Sequence, residues 1–364
     1  MHLLSAIRAA IFFAAFVSTA AAEVTVKSAN YVIVGPTSDL LPLRQAQLEW
    51  SARVFETLMG VRPPRGRVVL SDTPSGSVVS LSGEAAALVN TIPLTPQPPA
   101  ADGSVWNLSW FLNERAVSGR GTVVSAMTHE AAHLQLVLTV NFYASQELKD
   151  AYNGYGSFLP DWLDEAVAVY HEPESLKLAR RKRFNLATRI PLKNFFTMSH
   201  PGTPSGPQTI RIEAKTPEEA RKKFAAFKAS QHAALQKTAE ALGNDKVAVN
   251  EFYGQSLAVI EYLTSRGGLP FFRFVVVEQN AAKEFDEILL AWREKRKEIE
   301  RLRPGIERGA PPARVNKIAG VLVRPGEEVN QMPPSLELME ADFVNWVAKN
   351  YPKFRTNLPR YPLK

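Results

Sequence analysis

The sequence predicts an α+β fold: a small N-terminal subdomain of mixed α and β structure with an edge strand, followed by a mainly α-helical half. Short apolar runs flank a helical pattern near the N-terminus, and segments with helical periodicity dominate beyond residue 119. The chain has 364 residues, which is enough to bury a substantial core. Its 45% hydrophobic and 22% charged residues are typical of a folded protein rather than a disordered one.

The first residues have the pattern of a secretory signal peptide. Met1–Ala22 contains one basic residue, Arg8, then an apolar stretch and three alanines before Glu23. We therefore predict cleavage near Ala22-Glu23 and a secreted or periplasmic location. The alternative is an uncleaved N-terminal anchor, for which the apolar stretch is short. The chain has no cysteine, which excludes disulfide frameworks and cysteine nucleophiles and suits a bacterial periplasm.

The charge of the chain is modest. Cleavage takes Arg8 from the 43 basic residues and nothing from the 36 acidic ones, so the formal net charge falls from +7 to +6. The basic residues are not gathered into one stripe interleaved with aromatic residues, so we expect no nucleic-acid partner. After cleavage we also expect no transmembrane segment.

The region after the leader opens with a β-α-β pattern. Tyr31–Val34 and Arg67–Leu70 are short apolar runs typical of buried strands, and Leu43–Met59 between them has helical periodicity. Ser104–Glu114 alternates bulky and polar residues, as a partly exposed strand does. We assign residues 23–118 to the N-terminal α/β subdomain.

Helical patterns dominate the rest of the chain. Residues 119–303 are assigned to a helical catalytic region, and residues 304–364 to a Pro/Arg-rich extension that packs back on the body. Gly267-Gly268 and Pro270 separate two helices. The predicted helices cover Val123–Asn141, Pro160–His171, Pro217–Leu242, Val247–Ser265, a segment that begins at Phe271, the charged run Glu294–Arg303, and Met339–Tyr351.

The first of these helices contains the sequence His129-Glu130-Ala-Ala-His133. Residues four apart lie on the same face of a helix, so His129 and His133 can present two imidazole nitrogens to one metal ion. Glu130 then lies beside the coordination position that a catalytic metal keeps open. The alternative interpretation is a pair of histidines on a polar helix surface.

A catalytic zinc usually has three protein ligands, and the third is expected from the following helix. Glu165 follows His133 by 32 residues, enough chain to reverse direction, and it lies on a largely apolar helical surface. A carboxylate in such a place needs a partner, and a metal ion is a good one. The alternative ligands are Asp164, Glu172 and, more weakly, His171.

These two helices resemble the signature of gluzincin zinc metallopeptidases. His-Glu-x-x-His followed by Trp-Leu-x-Glu-x-x-Ala-x-Tyr is similar to the aminopeptidase-like branch and to secreted bacterial peptidase MA-like proteins. The resemblance implies that His129, His133 and Glu165 bind Zn²⁺, and that Glu130 polarises a zinc-bound water and shuttles its proton. It also implies that Tyr253 donates its hydroxyl to the tetrahedral oxyanion; the alternative role for this tyrosine is packing within its helix.

The chain departs from the aminopeptidases in several places. The interval between the second histidine and the glutamate is longer, Ala166 stands where glycine is usual, and the Gly-x-Met-Glu-Asn segment that holds a free N-terminus is missing. The segment Trp106–Arg115 stands in its place and is a candidate edge strand for an extended substrate. These departures weaken the case for exopeptidase action.

The sequence thus predicts a secreted or periplasmic zinc peptidase that hydrolyses a peptide or protein substrate. Glu130 assists the attack of a zinc-bound water on the peptide bond. One alternative is a catalytically inactive gluzincin-like binding or scaffold protein, and another is a zinc amidase that acts on a non-protein amide. The intact Glu130 favours an active enzyme. His200 and His232 are interpreted as surface residues.

Overall fold

The computed structural model describes residues 24–35, 41–71, 106–111, 122–140, 145–147, 156–201, 245–307, 316–318, 320–351, 353–354 and 358–362. Its strands are β1 (Val24–Lys27), β2 (Tyr31–Gly35), β3 (Gly66–Ser71), β4 (Trp106–Phe111), β5 (Asn316–Ile318) and β6 (Val321–Val323). Its helices are α1 (Leu41–Met59), α2 (Thr122–Val140), α3 (Asp161–Tyr170), α4 (Glu174–Arg183), α5 (Leu192–Phe195), α6 (Asp245–Tyr262), α7 (Leu269–Gln279), α8 (Phe285–Glu307) and α9 (Leu336–Asn350). Mainly helical structure with a small sheet confirms the α+β class.

The N-terminal strands form one sheet in the order β1-β2-β3-β4. β1 pairs antiparallel with β2, whereas β2, β3 and β4 run parallel, so the predicted β-α-β opening through α1 is confirmed. All five residues of β2 are buried, as expected for a parallel strand covered on both faces. The strands β1, β5 and β6 and the helices α4 and α5 were not predicted, and the predicted helix at 217–242 lies outside the described residues.

Helix α2 lies between two hydrophobic clusters. Met127, Ala131 and Leu134 pack with β2, β3 and α1 on one side. Ala132 and Leu136 pack with the remaining helices on the other. A helix buried on two sides is apolar around most of its circumference, so each buried polar residue on it calls for a specific role.

Helix α3 is still more deeply buried, with all ten residues inside the protein. It packs between α2 and α6. Three of its residues are acidic: Asp161, Asp164 and Glu165. Buried carboxylates need hydrogen bonds or a cation, so α3 carries charges that the surrounding structure must compensate.

Helix α6 ends in one π-helical turn, Leu263–Gly267, before α7 begins. This agrees with the predicted break at Gly267-Gly268. Near the C-terminus, the indole nitrogen of Trp50 in α1 donates a 2.8 Å hydrogen bond to the carbonyl of Pro359, and the ring of Tyr361 stacks edge-on against the same indole. Within the described ranges, no helix combines the length and the apolarity that a membrane crossing needs.

Arg273 of α7 joins the N-terminal helix to the β5-β6 hairpin. Its guanidinium donates to the carbonyl oxygens of Thr57 and Leu58 at the end of α1 and of Leu322 in β6. It also makes two hydrogen bonds to Glu327, of 2.6 and 2.8 Å. Gly60 follows α1 with φ +75°, and a Cβ there would lie 3.0 Å from the Arg273 Nε atom. Glycine therefore both ends the helix and admits the arginine.

We expect Arg273→Met to lower the free energy of unfolding by about 3–5 kcal/mol, because it removes the buried cation that pairs with Glu327 and donates to three carbonyl oxygens. Urea unfolding of residues 23–364 measures this value. Arg266→Gln is the matched control: its pair with Asp342 is partly exposed and should contribute at most about 1 kcal/mol. Equal losses in the two variants would contradict the central role of Arg273.

Candidate metal centre

Three buried side chains converge where α2 crosses α3. The Nε2 atoms of His129 and His133 are 3.3 Å apart. The carboxylate of Glu165 lies 3.4 Å from Nε2 of His129 and 3.7 Å from Nε2 of His133. Each residue offers one ligand atom, and these atoms all lie within 4.8 Å of one another. The sequence-predicted ligands are therefore brought together, in a group that could hold a metal ion.

The outer nitrogen of each imidazole contacts its own carboxylate. Nδ1 of His129 lies 3.1 Å from Glu172, and Nδ1 of His133 is hydrogen-bonded to Asp164. A carboxylate only accepts, so both Nδ1 atoms carry hydrogen and both Nε2 atoms keep a lone pair in the neutral rings. Asp164 and Glu172 thus lie behind the histidines as orienting partners, not among the converging ligand atoms.

This tautomer assignment has an electrostatic consequence. Two nitrogen lone pairs and the Glu165 carboxylate face one another in the interior, and each repels the others unless a cation lies between them. The donor set itself, two imidazoles and one carboxylate with an orienting acceptor on each imidazole, is the arrangement found around catalytic divalent metals.

The pKa values of the two histidines follow from the same charges. Burial lowers the pKa of His133, but the charges of Asp164 and Glu165 outweigh burial and raise the pKa to about 9. At His129, Glu165 and Glu172 likewise outweigh burial and raise the pKa. Without a metal, the group therefore holds protons at neutral pH.

Asp164 is held in place by the turn before α3. The backbone N–H of Ser157 donates a 2.5 Å hydrogen bond to its carboxylate. Gly156 has φ +54°, and a Cβ at this position would lie 2.5 Å from the Asp164 carboxyl carbon. Only glycine fits there, because a side chain would displace the carboxylate that orients His133.

Glu130 and Tyr253 complete the sequence-predicted residues. Glu130 is half-buried, and its charge acts on both His133 and Tyr253. The ring of Tyr253, on α6, lies 5.9 Å from the ring of His129. The charge of Glu165, followed by burial, raises the pKa of Tyr253 well above its usual value, so its hydroxyl is a neutral hydrogen-bond donor.

The interpretation of His200 as a surface residue is wrong. Its side chain is buried, its ring lies 5.5 Å from that of Tyr253, and its backbone N–H donates a 2.6 Å hydrogen bond to Asp161. This contact pins the loop after α5 over the start of α3. The loop has no periodicity, so the sequence carried no signal for the burial. His232 lies outside the described residues.

His171 is not brought into the ligand group. Its Nδ1 lies 2.7 Å from the carbonyl oxygen of Val167, and its ring packs against Phe55. Burial lowers its pKa to about 3, so it is a neutral residue of the core.

We expect the chain of residues 23–364 to bind one divalent metal ion, and Glu165→Ala to lose it. Elemental analysis after dialysis measures the metal content. Glu130→Gln is the matched control, because it removes a neighbouring carboxylate that is not among the ligand atoms. Full metal content in Glu165→Ala would overturn the ligand assignment.

Metal binding should release protons and weaken as the pH falls. With its pKa near 9, His133 must lose a proton for the metal to bind at pH 8, so the apparent affinity should fall up to about tenfold per pH unit for each proton displaced. Calorimetry in buffers of different ionisation enthalpy counts these protons. A metal affinity that does not change between pH 6 and pH 8 would contradict the raised pKa.

Comparison with known proteins gives no match for this chain. No known protein family, no curated protein and no solved structure matches it. The function is therefore inferred from the geometry and chemistry of the site.

Proposed function

We propose that the protein is a zinc-dependent peptidase of the gluzincin type. The observation that carries the proposal is the convergence of His129, His133 and Glu165 with Glu130 beside them. Ligands at about 2.05 Å from a tetrahedral ion are about 3.3 Å apart. The two Nε2 atoms are 3.3 Å apart; one oxygen of Glu165 lies 3.4 Å from Nε2 of His129 and its other oxygen lies 3.7 Å from Nε2 of His133, which is close to this spacing. Calcium and magnesium prefer sets made only of oxygen atoms, so zinc fits better.

The residues around the metal have different roles in hydrolysis. Zinc, when bound, would supply a Lewis acid that polarises the scissile carbonyl and makes water more acidic. Glu130 accepts a proton from the attacking water and delivers it to the leaving amine. His129 and His133 donate their Nδ1 hydrogens to fixed carboxylates, which orients both rings so that the Nε2 atoms can hold the metal.

Tyr253 is suited to stabilise the oxyanion of the transition state. Its hydroxyl is neutral and donates a hydrogen bond, and its ring lies beside His129. A donor aimed at a developing negative charge contributes roughly 2.7–4 kcal/mol in enzymes of this kind. The packed position of Tyr253 and its role as a donor are compatible, since the residue is half-buried.

The sheet supports a peptide as substrate rather than a non-protein amide. β4 is the last strand of its sheet, and among the described strands it pairs only with β3. An edge strand offers N–H and C=O groups to an extended peptide, which a compact amide cannot use. The signal-like segment Met1–Ala22 supports work outside the cytoplasm, in the periplasm or medium.

An inactive scaffold is the less favoured function. A binding protein that used the metal only for structure would need the three ligands and their orienting carboxylates, but it would have no chemical need for Glu130. This carboxylate is half-buried beside the ligand group, where a general base is required.

We expect Glu130→Gln to lower the hydrolysis rate by a factor of about 10²–10⁴. Tyr253→Phe should lower it by about 10²–10³. Both variants should keep their zinc. The measurement is cleavage of a mixed quenched-fluorescent peptide library by the zinc-loaded mature chain, with zinc content determined on the same samples. Wild-type rates in Glu130→Gln would overturn the mechanism, and zinc binding without cleavage of any peptide would favour the amidase or the scaffold.

A further inference from the structure

One arginine contacts two parts of the site that lie on different elements. Arg180 is in the last turn of α4, Glu172 precedes that helix, and Tyr253 is on α6. The side chain of Arg180 is 14% exposed and that of Glu172 only 3%. The guanidinium therefore lies at the inner wall of the site rather than on the protein surface.

The contact with Glu172 is a two-pronged ion pair. Nε of Arg180 donates a 2.5 Å hydrogen bond to one carboxylate oxygen, and Nη2 donates to the other. That second oxygen also faces Nδ1 of His129 at 3.1 Å. A planar guanidinium fixes both the position and the plane of a carboxylate, so Arg180 determines how Glu172 meets the ligand histidine.

The contact with Tyr253 is a cation–π interaction. The guanidinium carbon lies 4.7 Å from the centre of the tyrosine ring. The same ring faces His129 at 5.9 Å and His200 at 5.5 Å. Arg180 and the two histidines thus all lie against the ring of Tyr253.

We propose that Arg180 is a positioning residue that sets two groups of the site together: His129, through Glu172, and the hydroxyl of Tyr253, through its ring. The inference rests on the proposed function, because it assigns a purpose to residues around the metal. It goes beyond that function because it concerns a residue that hydrogen-bonds to Glu172 rather than to a ligand atom and that meets Tyr253 through the ring.

The neighbouring arginine separates this role from simple helix docking. Arg181 is fully buried and makes an ion pair with Glu261 of α6 and another with Glu174. The pair with Glu261 attaches α4 to α6 without involving the site, and the pair with Glu174 lies within α4. Arg180 is therefore not needed to attach the helix, and its two contacts point to a different purpose.

The test is the apparent zinc dissociation constant, measured by competition with a chromophoric chelator. We expect Arg180→Gln and Glu172→Gln each to raise it about tenfold, as expected for groups that orient a ligand. Arg180→Lys keeps the charge but lacks the planar fork, so it should raise the constant by a smaller factor. Both residues act on zinc through the hydrogen bond between Glu172 and Nδ1 of His129. The double variant Arg180→Gln/Glu172→Gln should therefore bind zinc no more weakly than Glu172→Gln alone.

Two variants on the same helix are controls. Arg183→Gln removes the same charge from an exposed position and should bind zinc as the wild type does. Arg181→Gln should lower the melting temperature without a matching change in the zinc dissociation constant. A loss of zinc affinity in Arg181→Gln equal to that in Arg180→Gln would mean general loosening of α4 and would overturn the proposal.

A second arm tests the tyrosine. At saturating zinc, Arg180→Lys should lower kcat with little change in KM, and this loss should disappear in the Tyr253→Phe background. Two results would overturn the role of Arg180 while leaving the peptidase proposal intact. One is wild-type zinc affinity in Arg180→Gln, and the other is a double variant in which the losses of zinc affinity from Arg180→Gln and Glu172→Gln add. A wild-type protein that binds no zinc would overturn both.

Discussion

The placement of negative charge and nitrogen lone pairs inside a hydrophobic core is the constraint on which the rest of this structure depends. His129, His133 and Glu165 converge where two buried helices cross. Such a group is costly without a cation, because the interior has little solvent to stabilise it. The two hydrophobic clusters around α2 and the complete burial of α3 keep these three side chains together in spite of that cost.

The compensation is arranged in successive layers. Next to the ligand atoms lie the carboxylates of Asp164 and Glu172, each bound to one imidazole. Beyond them lie groups of positive character: the backbone N–H of Ser157 for Asp164 and the guanidinium of Arg180 for Glu172. At Glu172, hydrogen bonds from the histidine and the arginine outweigh burial and hold its pKa below the usual range. Charge alternates outward from the centre, as expected for a metal site in a protein interior.

The sequence predicted the centre well because regular helices make spacing meaningful. Residues four apart share a helix face, so His129 and His133 had to point the same way. Glu165 lies on a largely apolar helix, and a carboxylate in such a place indicates a partner. The predicted strands of the opening β-α-β unit and the helices that carry the site agree with the structure to within three residues at each end. The resemblance to gluzincins and the identity of the metal stay predictions.

The surroundings of the centre could not be predicted in the same way. Asp164 and Glu165 are adjacent and point about 100° apart on the helix, but which of them faces the metal depends on how α3 crosses α2. Arg180 and His200 reach the site from a separate helix and from an irregular loop. Tertiary packing determines the positions of Arg180 and His200, and no periodicity in the local sequence indicates them.

The contact between Trp50 and Pro359 has a consequence for how the molecule is assembled. It joins residues 309 apart in the chain, and the same indole is covered by Tyr361. A contact of such long sequence separation forms only after most of the chain is available, and it slows folding. The covering of helix α1 is therefore complete only when the C-terminal residues of the chain are present.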